Sequence, residues 1–265
     1  MPRITALLAL LAAVGFAGLV YAAEEAEDAE HEAKHPEPQQ WSWSGPFGHF
    51  DRQQLQRGYQ VYKEVCAACH GLRLVAFRNL GEPGGPEFSA AQVKALAAAV
   101  QVNALDDKGE TIQRPATPAD RFPSPYPNEL AARAANNGAL PPDLSVIAKA
   151  RHGGADYIHA LLVGYSDPPA GFQLLPGLSY NPYFETHQIA MPPPLASDGQ
   201  VTWPDGNPAA TKDQMAKDVA AFLTWAAEPK MEERKVLGVQ VMIFLAALSG
   251  LLFFAYKRVW RDVDH

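Results

Sequence analysis

The chain has 265 residues, 48% of them hydrophobic and 19% charged, with a formal net charge of −7. That length allows one large domain or two small ones, and the acidic balance argues against a nucleic-acid partner and for a basic one. Twenty-three prolines predict long irregular connections, and two cysteines leave none spare for a disulfide if both are otherwise engaged.

Met1 to Ala22 reads as a secretory signal that is cleaved. Arg3 supplies the positive start, Ile4 to Val20 the apolar run, and Val20-Tyr21-Ala22 small residues at the cleavage-determining positions. The alternative is an uncleaved anchor helix. Either way the following residues are exported. Residues 23–50 form a mobile acidic arm and an aromatic entry segment. Glu24, Glu25, Glu27, Asp28, Glu30, Glu32 and Glu37 make the arm either a plain solubilising tail or an attractor for a basic partner. Trp41 to Phe50 is aromatic and turn-rich and is expected to lie across the domain surface.

Asp51 reads as a helix N-cap. Leu55, Tyr59, Tyr62 and Cys66 then recur at helical spacing. This helix ends in Cys66-Ala67-Ala68-Cys69-His70, the Cys-x-x-Cys-His attachment signature of a c-type haem. Each thiol can add across a haem vinyl group, and His70 can supply a proximal imidazole. A thioredoxin-like dithiol would want a βαβ context. A structural zinc would want a second Cys or His pair at suitable spacing, and the sequence has none.

Pro83-Gly84-Gly85-Pro86 is a breaker, and Ser89 caps a short helix to about Val100. Asp106 to Asn128 reads as a proline- and charge-rich loop. Glu129 to Asn137 is helical and Gly138 terminates it. Asp143 can cap a helix from Ser145 to about Arg151, and Ala155 to Val163 resumes as helix. Thr211 and Gln214 form a capping-box pattern for Thr211 to Ala227, whose apolar face (Met215, Val219, Phe222, Leu223) is expected to pack on the Asp51 helix.

Met191 precedes Pro192-Pro193-Pro194, so it lies on a stiff extended segment rather than in a helix or central strand. Among the methionines, Met1 falls in the leader, Met215 on a core face, Met242 in the apolar C-terminal run, and Met231 beside that run without a pocket. Met191 is left as the candidate second axial ligand, and thioether ligation raises a haem's potential. His187 on the same segment is the rival. His49, His152 and His159 read as surface or supporting groups. An open sixth position, as in a peroxidase or gas sensor, is the alternative.

Val236 to Tyr256 is twenty-one residues without a charge. At about 1.5 Å per residue it just spans a hydrocarbon layer of roughly 30 Å. Residues 230–257 therefore read as a membrane anchor with flanks. Lys257, Arg258 and Arg261 follow the run but Lys230, Arg234 and Lys235 precede it, so flanking charge alone does not orient it. The exported domain, residues 51–229 in the periplasm, sets the tail, 258–265, on the cytoplasmic side of an inner membrane.

With these pieces in place the chain resembles the cytochrome c1 family, the membrane-anchored haem subunit of ubiquinol–cytochrome c reductase. Arg57 to His70, Ala135 to Ser145, Arg151-His152-Gly153-Gly154, Gly164-Tyr165, Asn181-Pro182-Tyr183-Phe184 and Ala226-Ala227-Glu228-Pro229 carry the resemblance. It implies a mainly α fold: a class I cytochrome c-like haem domain with long irregular loops and one C-terminal transmembrane helix. It implies one covalent haem c on Cys66 and Cys69, with His70 and Met191 on the iron. Asn136, Pro141 and Pro142 fall on the haem-lining segment, Arg151 near a propionate, and Tyr157 in the haem pocket. It also implies a non-enzymatic electron-transfer subunit of a dimeric complex. That subunit would accept one electron from the Rieske iron–sulfur protein beside cytochrome b and pass it to a cytochrome c. Relatives vary in length across Ala91 to Asn128, and the disulfide of some bacterial relatives cannot form here. A subunit of a different complex, such as a terminal oxidase, is the remaining alternative.

Overall fold

The structure is a computed structural model that describes residues 33–262. The signal segment and the arm up to Glu32 lie outside the described residues. The last part of the arm is extended chain tied to the domain: Lys34 N–H donates to the Pro182 carbonyl (2.8 Å) and Gln39 N–H to Asp156 Oδ1 (3.0 Å).

Helices dominate. Asp51 caps α1 (Arg52–Val61), its carboxylate accepting from Gln53 and Gln54 N–H. The expected single helix to Cys66 instead widens into a π turn, Tyr62–Cys66, where Ala67 N–H reaches the Tyr62 carbonyl. A 3₁₀ turn (Phe77–Gly81) follows. Ser89 and Gln92 close a capping box on α2 (Ala90–Ala98). The stretch read as loop begins inside a hairpin, β1 (Gln101–Leu105) and β2 (Thr111–Pro115). Next come α3 (Glu129–Ala135), α4 (Ile147–Ala150), α5 (Gly154–Val163) and a small ladder, β3 (Ser179–Tyr180) with β4 (Gln188–Ile189). Asp143 does not cap α4. It accepts instead from Ser145 N–H and Arg73 N–H, and α4 begins later, with Val146 at its cap position.

The core is built on the crossing of α1 with α6 (Lys212–Ala227), which Thr211 caps through Gln214 N–H. The helices touch backbone to backbone at Gly58, where a Cβ would stand 2.0 Å from the Asp218 carbonyl oxygen, so no side chain fits. Tyr59, Tyr62, Phe122, Phe222 and Trp225 pack edge-on and tilted around that crossing. Charge enters it too: Arg57 and Asp218 form a buried pair on the facing helices. His159, read as a surface or supporting group, is buried on α5 and bonds Asp213 of α6 (2.8 Å).

The last helix, α7 (Met231–Val259), runs 29 residues and extends past the apolar run at both ends. Its apolar window has a mean hydropathy of 2.3 and no part buried. Met231 is a correction to the sequence reading, because it is buried in the core. Its neighbourhood fastens α7 to the domain.

Glu228, between α6 and α7, is one such fastener. It takes Lys149 of α4 and Arg234 Nη1 of α7 (2.5 Å). Burial opposes its charge, but the two cations outweigh burial and hold its carboxyl below the ordinary 4.5. The unfolded chain therefore binds this proton at a higher pH than the folded one. The clamp's contribution is complete above about pH 4.5 and disappears as pH falls through the lowered value. Glu228→Gln should cost on the order of 1 kcal/mol at neutral pH. Urea midpoints of the variant and the parent should converge as the medium is acidified below that range. A gap unchanged by acid would contradict the assignment.

Candidate haem site

Cys66 closes the π turn, and its carbonyl then accepts from both Cys69 N–H (3.1 Å) and His70 N–H (2.9 Å). The three motif side chains thus leave one tight turn. Both cysteines are free thiols and half-buried. Burial, then the neighbouring Cys69, pushes the Cys66 thiol up to about 12, so its sulfur is neutral at physiological pH.

The imidazole of His70 is oriented by the chain 72 residues later, where its Nδ1 lies 2.8 Å from the Pro142 carbonyl oxygen. A carbonyl can only accept, so Nδ1 carries the proton and Nε2 keeps its lone pair. Burial lowers this histidine below its ordinary 6.5, against the pull of Pro142 and Asp143, and that also favours the neutral ligand form. Tyr62 Oη donates to the His70 carbonyl (3.2 Å). The segments run side by side beyond it: Leu144 N–H bonds the Gly71 carbonyl, Arg73 N–H bonds Asp143 Oδ2, and Leu74 N–H bonds Ser145 Oγ. Pro141 and Pro142 are therefore fixed against the motif.

Asn136 ends α3, and its Nδ2 donates to Tyr126 Oη (2.9 Å) and the Ala132 carbonyl (2.7 Å). It is held by the wall of the segment rather than aimed outward.

Met191 belongs to a second cluster. Tyr165, just after α5, donates its hydroxyl to the Met191 carbonyl (3.0 Å) and so pins the strut before the three prolines. Upstream, buried Asn181 donates to the Leu161 carbonyl and accepts from Tyr183 N–H, which locks the β3–β4 turn. Gly164 makes room for Tyr183, whose ring lies 2.5 Å from where a Cβ would be. Tyr157 sits in the same cluster. Burial raises its hydroxyl, opposed by a hydrogen bond and charge from Arg151. Tyr165 is raised by burial and then by Tyr157, which places the two phenols near each other. Arg151 itself is exposed. The rival ligand, His187, is buried at a left-handed φ of 56° and stacks on Tyr180, 6.0 Å between ring centres. That stacking gives it a structural role. His49 and His152 are exposed.

Sequence reasoning missed Tyr165 and Tyr62 as supports. Tyr62 reads as one more core aromatic, and the Tyr165 contact joins positions 26 residues apart, which no local pattern encodes.

The donor set fits a c-type haem: two half-buried thiols one turn apart, a neutral imidazole with Nε2 free, and a thioether on a pinned strut. The same segments carry apolar side chains in the open, including Leu74 and Val146. Among the described residues no group of three or more His, Cys, Asp or Glu could hold a bare metal ion.

Comparison with known proteins agrees. A model of the cytochrome C1 family matches residues 41–263. Cytochrome c1 of Rhodospirillum rubrum is 47% identical over 266 residues, covering 94% of this chain and 96% of that protein. Cytochrome c1 of Blastochloris viridis is 48% identical, covering 86% and 87%. The cytochrome b/c1 protein of Bradyrhizobium diazoefficiens is 52% identical over 247 residues, and this chain spans 36% of its length.

Proposed function

Since the chain belongs to the cytochrome c1 family, a haem subunit of the bc1 complex, we propose that it accepts one electron from a Rieske iron–sulfur protein and delivers it to a cytochrome c. A c-type haem supplies the reversible one-electron couple when bound. Every other task falls to the chain. Cys66 and Cys69 would hold one haem covalently as thioethers, which suits two half-buried thiols that leave the same turn. His70 Nε2 and Met191 Sδ would supply the protein ligands to its iron. The observation that carries this reading is the His70–Pro142 contact, because it fixes the tautomer with Nε2 available.

Arg151 offers a guanidinium, with Tyr157 hydrogen-bonded beside it, to a propionate. Asn136, Pro141 and Pro142 line the pocket. No bond to a substrate is made or broken, so the subunit is not an enzyme by itself. α7 crosses the cytoplasmic membrane once. The haem domain lies in the periplasm, and the basic residues after Tyr256 lie in the cytoplasm. Cytochrome b and the Rieske protein are its neighbours in a dimeric complex. The acidic surface steers a basic acceptor.

Affinity purification of the tagged chain from its native membrane tests this. A cytochrome b and an iron–sulfur protein should co-purify, and this chain should keep haem stain after denaturing electrophoresis. Recovery with an oxidase instead would overturn the complex assignment. Stain lost on denaturation would overturn covalent attachment.

A further inference from the structure

The turn at Pro46-Phe47 leads to a surface lined by none of the haem-site residues. The surrounding loop is firmly built. Trp43 is buried, with Trp41 stacked at 4.7 Å and Phe50 at 5.1 Å. Gly48 passes so near the chain that a Cβ would lie 2.2 Å from the Ser44 carbonyl oxygen, and His49 N–H bonds the Ser42 carbonyl. Yet Phe47, at the tip, is 81% exposed. One exposed apolar side chain means little by itself. Its position is what matters.

The loop is stapled to the first turns of α7. Lys235 Nζ donates to the carbonyls of Trp43 (2.5 Å) and Gly48 (3.0 Å). Phe50 N–H donates to Glu232 Oε1 (2.7 Å), and Arg52 engages both oxygens of Glu232 (2.8 and 2.6 Å). These contacts set Pro46, Phe47 and His49 across a groove of about 360 Å³ from Val236, Val239 and Gln240. Val236 opens the charge-free apolar run. At a rise of about 1.5 Å per residue, Val239 is only ~4.5 Å further along it. Phe47 therefore stands at the level where the anchor helix enters hydrocarbon, next to the ammonium of Lys235. An apolar tip beside a cation at the start of an apolar helix is the pattern of an interfacial anchor.

We infer that the Pro46-Phe47 turn is a second membrane contact. Its phenyl ring enters the headgroup–acyl boundary of the leaflet facing the haem domain, and a lipid acyl chain occupies the groove between Phe47 and Val239. Two contacts fix the domain's tilt on the membrane, where a single helix would leave it free to swivel. The inference rests on α7 spanning the membrane.

Photo-crosslinking in intact native membranes tests it. Benzoylphenylalanine replaces Phe47, or Phe254 within α7, or Leu130, which lies outside both the groove and the anchor helix. Phospholipid adducts, read by mass spectrometry, should form at positions 47 and 254 several-fold above position 130. Adducts at 254 with none at 47 would overturn the second contact and leave the anchor standing. Absence at both would overturn the anchor as well. Capture of a polypeptide at 47 would also overturn the inference, since the groove would then be a subunit interface.

Discussion

Leucine at position 191 should turn a closed, methionine-ligated haem into one that binds carbon monoxide when ferrous. The potential should fall by a few hundred millivolts, on the order of a third of the roughly 0.8 V range that axial ligands command. Thioether ligation favours the ferrous state, and leucine offers no donor. The substitution is close to volume-conserving and should cost less than about 1.5 kcal/mol of stability. Met191 is only half-buried, and its carbonyl bond to Tyr165 does not depend on its side chain. The fold should therefore survive, and the change can be read as chemistry. Redox titration with optical spectra of the purified complex checks it. Unchanged spectra and an unchanged potential would remove Met191 from the iron and return attention to another donor.

Asp218→Asn should be the most damaging single-atom change in the domain. Arg57 Nε and Nη2 clasp the two oxygens of Asp218 at 2.7 and 3.1 Å, and the side chains are 9% and 0% exposed. Gln214 donates a further bond to Oδ1 (2.8 Å), and the guanidinium stands 5.8 Å over the Trp203 ring. Removing the carboxylate's charge leaves that guanidinium unpaired in the core, a loss of about 3–5 kcal/mol. Total stability of a domain is only ~5–15 kcal/mol. The urea midpoint should drop accordingly. A double variant, Arg57→Met with Asp218→Leu, should recover most of the loss, because the expense lies in the orphaned charge rather than in the missing bond. A single variant within about 0.5 kcal/mol of the parent would mean that water reaches the pair.

Local chemistry was legible in the sequence wherever a few neighbouring residues decide the outcome. Asp51, Ser89 and Thr211 cap their helices because the accepting side chain and the donating backbone N–H are two or three residues apart. The shorter helices were legible from their apolar spacing and caps, and the long apolar helix at the C-terminus from the length of its uncharged run. Asp143 misled because two N–H groups compete for it, one of them Arg73, 70 residues earlier. The β1–β2 hairpin was missed because β2 is open along almost its whole length and β1 turns only Val102 and Ala104 inward, too short an alternation to mark a strand. In the candidate site the motif itself was readable, whereas its supports were not. Pro142 on His70, Tyr165 on Met191 and Asp218 against Arg57 are all products of tertiary folding.

The stapling of Glu232 and Lys235 to Arg52, Phe50 and Trp43 has a consequence for the order of synthesis. The partners are separated by 180 to 192 residues. At roughly 5–20 residues per second, a chain emerging N-terminus first waits on the order of ten seconds or more between the two ends. Through that interval α1 has neither α6 to cross nor α7 to hold it. The Cys66 and Cys69 thiols emerge well before the helices that complete the core behind them. The fold thus leaves a window in which the Cys66–His70 turn has no completed core behind it, and the arrival of α6 and α7 closes it.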